Sequence, residues 1–427
     1  MGNSIQFLSE HTRLIASDEN WIEGEAIQQL THVATLKGMA QVVGLPDLHP
    51  GRGYPIGAAC FSNNMIYPAL VGNDIGCGMS LVRTDLLTRK VKLDKLENKL
   101  RTSAFSDQLF WSDHGLSLLQ QALATDGLST NPDHSDQTER DFIKSIGTIG
   151  GGNHFAEFQK ISKVVDQSRF DALGLDSAQL YLLVHSGSRG LGESILRQHV
   201  DQFGHQGLAA DSEEAQAYMR KHDFALRWAE VNRSIIAARM LSALNRKLVD
   251  LDNRSSDVVL DVNHNLVSQG SFAGDRGWIH RKGATPADQG VVMIPGSRGS
   301  ISYLVQPKAC EVSLYSLAHG AGRKWVRTEC EARLKSRFTR KALERTKLGS
   351  RVICDDKALL YEEAPEAYKA VDVVVSDLVE ANLVDVIAEF SPVLTFKTLS
   401  SKATGSKSEA RTKSPGYARR PGGGKCC

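Results

Sequence analysis

The chain has 427 residues, of which 41% are hydrophobic and 23% are charged, with 51 Lys and Arg against 49 Asp and Glu. This composition is typical of a globular protein and excludes a disordered or fibrous chain. No stretch approaches the ~18 consecutive apolar residues of a membrane helix, and the start lacks the regions of a signal peptide. Seven cysteines, an odd number, do not suggest a disulfide framework. We therefore expect a cytoplasmic protein without a membrane partner.

Charge is unevenly distributed along the chain. Residues 401–427 contain seven Lys or Arg and one Glu, which leaves 44 basic against 48 acidic residues in the rest. Any nucleic-acid partner would therefore have to be held by a local basic patch. The terminal segment is rich in Ser, Gly, Lys and Arg and has no apolar periodicity, which predicts a disordered basic tail at 401–427.

Hydrophobic spacing predicts helices that alternate with short strands. Helical periodicity is found over 93–100, 108–125, 212–249, 332–347 and 363–388, and short apolar runs typical of strands occupy 79–82, 180–184, 258–262, 291–294 and 303–305. Ser212 and the two Glu after it predict the cap and first turn of the longest helix. We predict an α+β fold in which residues 1–400 form one large domain with a helical insertion at about 205–250.

Chemically active residue types are concentrated where predicted strands end. Three strands run into loops that combine Gly, Asn or Ser with a titratable residue, at 185–190, 261–265 and 295–299. Loops carried by a rigid sheet can converge on one site. We therefore expect these loops to meet.

Several of these residues are of the types that bind metals. Asp74 and Cys77 lie in one glycine-flanked turn, and four histidines occupy similar loops: His154, His185, His264 and His319. A single Cys or His of this kind is more often a satisfied structural residue. Together they indicate a shared site for a first-row ion, and Zn, Fe, Co and Mn all remain open.

Two glycine-rich segments suggest phosphate binding. In residues 318–323 small neighbours leave His319 sterically open, and Arg323 offers a planar fork for phosphate oxygens. The run 147–157 contains three successive Gly but matches neither a P-loop nor a dinucleotide fingerprint. A local basic patch is predicted from loop residues Arg189, Arg281, Lys282, Arg298 and Arg323. Lys324 and Arg327, just beyond, are predicted to be solvated surface charges.

Several distinctive sequence strings carry a family resemblance. The strings LPDLHPGRGYPIG, GNDIGCGM, GTIGGGNHFAEF, HSGSRGLG, NHN, HRKGAT, IPGSRGSISYLV, HGAGR and EAPEAYK follow one another between about residues 40 and 400. In these motifs and their order the sequence resembles the RtcB family of GTP-dependent RNA-splicing ligases. The first two motifs are most similar to the branch linked to release factor H, which implies a release factor H-like partner.

The resemblance implies an active site in a central, metal-containing cleft of the α+β domain. It implies two Mn²⁺ ions, one held by Asp74, Cys77 and His154 and the other by Cys77, His185 and His264. It further implies that His319 becomes guanylated by GTP and that Asp47 assists nearby.

The resemblance also implies a nucleotide pocket and RNA contacts. The GTP- or GMP-binding residues would be Asn153, His154, Phe155, Ala156, Glu157, His264, Asn265, Pro295, Gly296, Ser297, Arg298, Ser302, His319, Gly320, Ala321, Gly322 and Lys397. RNA phosphates would be contacted by Arg189, Arg281, Lys282 and Arg323. Arg298 departs from the family pattern, because many members have Met there.

The implied activity is the joining of RNA ends. A 2′,3′-cyclic phosphate or 3′-phosphate end would be joined to a 5′-hydroxyl end, in RNA repair or tRNA splicing. Two alternatives stay open at this stage: a metal-dependent phosphoesterase that opens cyclic phosphate ends, and a catalytically silent RNA- or ribosome-binding protein.

Overall fold

The computed structural model describes residues 4–103, 105, 108–125, 142, 144–246 and 257–399. The predicted tail at 401–427 and the last three residues of the predicted helix 212–249 lie outside the described residues. Helices and strands are mixed throughout, which confirms the predicted α+β class. No helix in the described ranges is long and apolar enough to span a membrane.

Two large sheets form the framework of the described chain. The first has the strand order β1 (Ile5–Ser9), β2 (Thr12–Ile15), β3 (Met39–His49), β4 (Ile56–Ser62), β12 (Asp275–Lys282) and β11 (Asn265–Phe272). The second has the order β10 (Val258–Asn263), β6 (Gly78–Leu87), β8 (Gln179–Ser186), β7 (Phe155–Val164), β18 (Val384–Thr398), β15 (Ser302–Pro307) and β14 (Val292–Ile294), with β17 (Arg351–Cys354) parallel to β18. Two short pairs join β5 (Met65–Ile66) to β9 (Leu208–Ala209) and β13 (Ala284–Pro286) to β16 (Ser316–Ala318).

The helices pack around these sheets. They are α1 (Gly24–Val33), α2 (Leu93–Ser103), α3 (Gln108–Thr125), α4 (Gln167–Ala172), α5 (Gly190–Phe203), α6 (Glu213–Ser242), α7 (Arg327–Leu334), α8 (Arg340–Leu343), α9 (Lys357–Glu362) and α10 (Val371–Glu380). As predicted, Ser212 caps α6, and its side chain accepts a hydrogen bond from the amide of Ala215.

The second sheet is buried on both faces, as strand β8 shows. Leu180, Leu182 and Val184 pack in a core that includes α6, whereas Tyr181 and Leu183 belong to a second core on the opposite face. Successive strand residues point to opposite faces, so a continuous apolar run is what a doubly covered strand requires. The five predicted strands are confirmed, and four of them are longer than predicted.

The first three predicted helices are present, and the last two predictions are wrong in part. The helices at 93–100 and 108–125 are present, and the long helix ends at Ser242. The prediction over 332–347 is wrong in part, because α7 ends at Leu334 and Thr339 caps the short helix α8. The prediction over 363–388 is also wrong in part: Asn382 adopts a left-handed φ of 57°, and β18 starts at Val384.

Candidate functional site

Four neighbouring strands of the second sheet bring the predicted metal ligands to one edge. The strand register pairs Gly78 with both Ser186 and Asn263, and Phe155 with His185. Paired strands lie ~4.8 Å apart, so residues next to these pairs must also lie close together. The side chains that meet there are Cys77, His154, His185 and His264, joined by Asp74 from the turn before β6.

The ligands form two groups of three that share Cys77. In one group, His185 Nε2 lies 3.2 Å from Cys77 Sγ and 3.3 Å from His264 Nε2. In the other, His154 Nε2 lies 3.3 Å from Cys77 Sγ and 2.8 Å from Asp74 Oδ2. Within each group the ligand atoms lie within 4.8 Å of one another, so each can hold a metal ion.

These distances fit divalent metal ions. Two imidazole nitrogens on one tetrahedral ion, each ~2.1 Å from it, would be ~3.4 Å apart, close to the 3.3 Å between His185 and His264. Burial, followed by the neighbouring histidines, lowers the pKa of both rings well below the usual range, so they remain neutral and able to bind metal. Burial and then Asp74 raise the pKa of the Cys77 thiol, and a bound cation would favour its thiolate.

A hydrogen bond outside the cluster orients His154. Its Nδ1 lies 3.1 Å from the carbonyl oxygen of Ile149, which places the Nδ1 proton on that side and turns Nε2 toward Asp74 and Cys77. A contact of this kind sets both the tautomer and the ring direction of a ligand histidine.

Asp47 and His319 form a buried pair beside the cluster. His319 Nδ1 donates to Asp47 Oδ2 at 2.6 Å, and the backbone amide of His319 donates to the same oxygen at 3.1 Å. The ring of His319 lies 4.8 Å from that of His264, measured between centroids. Because Nδ1 holds the proton, Nε2 of His319 is left with a free lone pair.

Two glycines allow this pair to be closely packed. A Cβ on Gly57 would lie 2.8 Å from Asp47 Oδ1, and a Cβ on Gly283 would lie 2.9 Å from His319 Cε1. Both glycines have positive φ, 83° and 62°, which other residues rarely adopt. A side chain at either position would displace Asp47 or His319.

The cluster and His319 line one cavity of about 1100 Å³. Most of the predicted nucleotide-binding residues also line it: Asn153, Phe155, Glu157, Asn265, Pro295, Gly296, Ser297, Arg298, Gly320, Ala321, Gly322 and Lys397. Ala156 and Ser302 do not. Ala156 faces the opposite side of β7 and packs in the core, because neighbouring strand residues alternate. Ser302 is 2% exposed and accepts a hydrogen bond from Gln159 at 3.0 Å.

Glu157 is the buried carboxylate at one end of this cavity. Its two oxygens accept hydrogen bonds from Gln159, at 2.7 Å, and from the Thr395 hydroxyl. Burial raises its pKa despite these contacts. Glu157 thus presents a buried carboxylate whose orientation is fixed by two hydrogen bonds.

Of the basic residues predicted to bind phosphate, three reach the cavity. Arg189, Lys282 and Arg323 line it, and burial lowers the pKa of Lys282 to about 8. The prediction for Arg281 is wrong: its guanidinium is 2% exposed and donates to Ser316 Oγ at 2.8 Å and Ser268 Oγ at 2.9 Å. The Arg281 guanidinium therefore bonds to neighbouring strands and not to a ligand.

A buried acidic centre that the sequence did not reveal supports the cavity wall. Glu363 lies 3.3 Å from Lys397, 3.2 Å from Arg323 and 2.6 Å from Arg327. Burial alone would raise the pKa of Glu363, but the three cations together lower it to about 2. Arg327, predicted to be a solvated surface charge, lines the cavity and pairs with Glu363, although 37% of its side chain is exposed. Lys324 is exposed.

The position of Glu363 within the string EAPEAYK was the one available signal for it. His49 was also missed, although it lies in the first motif. It lines the cavity, and its Nδ1 donates to the carbonyl oxygen of Asp47 at 2.8 Å. Burial lowers the pKa of His49 to about 3, so this ring stays neutral.

Arg298 lines the cavity with an incompletely paired guanidinium. It is 8% exposed and donates from Nη2 to the carbonyl oxygen of Leu360 at 2.6 Å. Its Nε and Nη1 are buried and have no partner among the described residues. Burial lowers its pKa, so an anionic ligand nearby would stabilise its charge.

Together, fold and site define an α+β enzyme with a buried candidate metal centre next to an aspartate-held histidine. A family model described as tRNA-splicing ligase RtcB matches residues 29–398. The RNA-splicing ligase RtcB2 of Escherichia coli is 49% identical over 94% of this chain and 100% of its own length. The tRNA-splicing ligase RtcB of Archaeoglobus fulgidus is 31% identical over 87% of this chain and 91% of its own. This chain belongs to the RtcB family of RNA-splicing ligases.

Proposed function

We propose that this protein joins RNA ends that carry a 2′,3′-cyclic phosphate or 3′-phosphate to 5′-hydroxyl ends, with GTP as the activating nucleotide. One observation carries the proposal: His319, which is 12% exposed, is held by Asp47 beside two groups of metal ligands in a cavity of about 1100 Å³. Membership of the RtcB family supports it.

In the first step His319 acts as the nucleophile. Its Nε2 attacks the α-phosphorus of GTP, a nitrogen–phosphorus bond forms, and pyrophosphate leaves. Asp47 keeps the Nδ1 proton on the far side of the ring. Its carboxylate also stabilises the positive charge that develops on the imidazole, as the aspartate of a catalytic triad does.

The metal ligands define where the phosphates would react. Asp74, Cys77 and His154 would hold one Mn²⁺ and Cys77, His185 and His264 the other, and when bound these ions would neutralise charge on the reacting phosphates. Arg189 and Lys282 line the same cavity, and their positive charges would attract the anionic phosphates.

Glu157 and Lys397 would select guanine. The Glu157 carboxylate would accept from guanine N1 and N2, and the Lys397 ammonium would donate to O6. Gln159 and Thr395 fix the orientation of Glu157, and Glu363 lies 3.3 Å from Lys397. Adenine would leave these buried groups unpaired, which strongly reduces binding.

The remaining steps transfer the activated group to RNA. Water first attacks the phosphorus of a cyclic phosphate, the bond from phosphorus to the 2′ oxygen breaks, and the 2′ oxygen takes up a proton, which leaves a 3′-phosphate. An oxygen of this 3′-phosphate then attacks the phosphorus of the guanylate on His319 and releases the imidazole. The 5′-hydroxyl oxygen of the second RNA end attacks the RNA 3′-phosphorus. A phosphodiester forms, GMP leaves, and the hydroxyl proton passes to solvent.

The test is covalent labelling. Protein incubated with Mn²⁺ and GTP labelled at the α-phosphate should retain the label on a denaturing gel, and His319→Ala should lose it completely. His205→Ala is a matched control, because His205 also lines the cavity but has no role in the proposed chemistry. Opening of cyclic phosphate without labelling would favour the phosphoesterase, and failure to bind Mn²⁺ would favour the silent binding protein.

The biological setting is also part of the proposal and rests on sequence alone. We propose a cytoplasmic enzyme whose ligase domain spans 1–400, followed by a basic tail, and whose partner is a release factor H-like protein. RNA repair is then the expected role, with tRNA splicing as the alternative. Ligation rates on cleaved tRNA halves and on nicked ribosomal RNA fragments would separate the two, and equal rates would contradict specialisation.

A further inference from the structure

A smaller groove of about 460 Å³ adjoins the active-site cavity. It lies between Trp21 and Trp325, and we call it the tryptophan groove. Four of its lining residues also line the active-site cavity: Glu23, Lys324, Trp325 and Val326. The groove is therefore a continuation of the space in which His319 lies.

Trp21 forms the exposed wall of the tryptophan groove. Its side chain is 55% exposed, which is unusual for an indole next to an active site. The preceding residue, Asn20, is buried, and its side-chain amide donates to the carbonyl oxygen of Pro46 at 2.8 Å and to Asp377 Oδ2 at 2.6 Å. Because Pro46 precedes Asp47, these bonds tie the backbone next to Trp21 to the segment that carries the catalytic Asp47.

Trp325 also lines the groove and is tied to the loop that carries His319. Its carbonyl oxygen accepts a hydrogen bond from Arg323 Nε at 3.2 Å, and its amide donates to the carbonyl oxygen of Ala367 at 3.3 Å. The guanidinium of Arg333 lies over its ring, 5.2 Å from the centroid. This cation–π contact orients the Trp325 ring, and exposed aromatic rings are the groups on which nucleic-acid bases stack.

The lining of the groove carries two cationic and two anionic side chains, and one of the cations is unpaired within the described part of the chain. Lys324 is exposed where the groove joins the cavity, and its ammonium makes no ion pair with any described residue. Arg333 pairs with Glu329 at 2.8 Å, which offsets that carboxylate. Glu23 is the remaining acidic group in the lining.

We propose that the tryptophan groove binds bases of the single-stranded RNA whose end enters the active-site cavity, by stacking on Trp21 and Trp325. This inference rests on the proposed function and adds an RNA subsite to it. Every base has a π-face, so stacking tolerates any sequence. Binding should therefore depend on strand length and not on base identity.

Steady-state ligation by Trp21→Ala tests the proposal. The KM for RNA should rise roughly five- to hundredfold, the range that loss of one base–aromatic stack produces, while kcat stays within about twofold. Trp21→Phe should recover most of the loss. Phe110→Ala is the matched control, because Phe110 is 63% exposed and lines neither space.

Guanylation of His319 by GTP without RNA separates this inference from the proposed function. Trp21→Ala should be guanylated at the normal rate, and strands too short to reach the groove should show no difference in KM. An unchanged KM with long strands would overturn the inference. It would stay overturned if Trp21 were then found to bind another protein. A rise in KM that does not depend on strand length would also overturn it, as would an equal loss of guanylation in Trp21→Ala. If the protein without substitutions failed to become guanylated, the proposed function itself would be rejected.

Discussion

At the scale of single residues, the decisive feature is that a buried carboxylate determines which nitrogen of His319 carries the proton. Asp47 has no exposed surface and accepts from both the ring and the backbone amide of His319. A neutral asparagine could offer its amide N–H instead, which would favour the tautomer with the proton on Nε2. The proposed nucleophile depends on this one charge.

Asp47→Asn should therefore slow guanylation of His319 by about 10²- to 10⁴-fold, because the wrong tautomer has no lone pair on Nε2. Single-turnover labelling with α-labelled GTP measures this rate. Asp223→Asn is a suitable control, since Asp223 pairs with His222 at 2.9 Å and lines no part of the cavity. A normal labelling rate in Asp47→Asn would contradict the assigned role.

At the scale of elements, helix α6 positions the loops that hold the metal ligands. Arg233 is fully buried and donates to the carbonyl oxygens of Gly76 at 2.8 Å and Ser186 at 3.1 Å, and to Asn263 Oδ1 at 2.8 Å. These three residues adjoin Cys77, His185 and His264 respectively. Asp261 pairs with the same guanidinium.

Arg233→Lys should weaken Mn²⁺ binding by about 10- to 100-fold, which is the usual effect of removing contacts that orient metal ligands. Lys keeps the charge but cannot reproduce the planar set of donors. We also expect a loss of unfolding free energy of about 3 kcal/mol, because buried acceptors are left unpaired.

Calorimetric titration with Mn²⁺ and urea unfolding measure the two effects of Arg233→Lys. Arg227→Lys provides the control on the same helix, since Arg227 is 39% exposed and pairs with Glu230. If Arg233→Lys lost stability but kept normal Mn²⁺ affinity, α6 would support the fold without positioning the metal ligands.

At the scale of the whole molecule, the ligands join loops that are far apart in the chain. Asp74 and His264 are separated by 190 residues in sequence, yet one continuous cluster contains both. Metal binding should therefore stabilise the native state as a whole, since these ligands are brought together only by folding.

Saturating Mn²⁺ should raise the melting temperature by a few degrees, because a ligand at 100 times its Kd adds about 2.7 kcal/mol of stability. Chelation should reverse the shift, and Cys77→Ser should greatly reduce it. Cys60→Ser is the matched control, because Cys60 is also a buried free cysteine but lies outside the cavity. An equal Mn²⁺ shift in Cys77→Ser would contradict the shared ligand, and differential scanning fluorimetry provides the measurement.

Part of the site could be predicted because several motifs follow or precede a strand that is apolar enough to be recognised. Cys77, His185 and His264 each adjoin such a strand, and the motifs preserve the residue types that metals and phosphates require. Gln159 and Thr395 could not be found in this way, since both lie within strands. Thr395 contacts Glu157 only through the pairing of β7 with β18, and Gln159 contacts it from two residues further along β7.

Long-range pairing also explains the failed helix prediction. Val384 and Val386 have helical neighbours in sequence, but they pair with Pro307 and Val305 of β15, and β-branched side chains pack well in a sheet. The sequence by itself determined the residue types of the site and the local strands that carry them. Tertiary structure alone decided that Arg281 is enclosed, that Arg327 contacts Glu363 and that Trp21 and Trp325 line one groove, because the surroundings of a charge or a ring depend on segments distant in the chain.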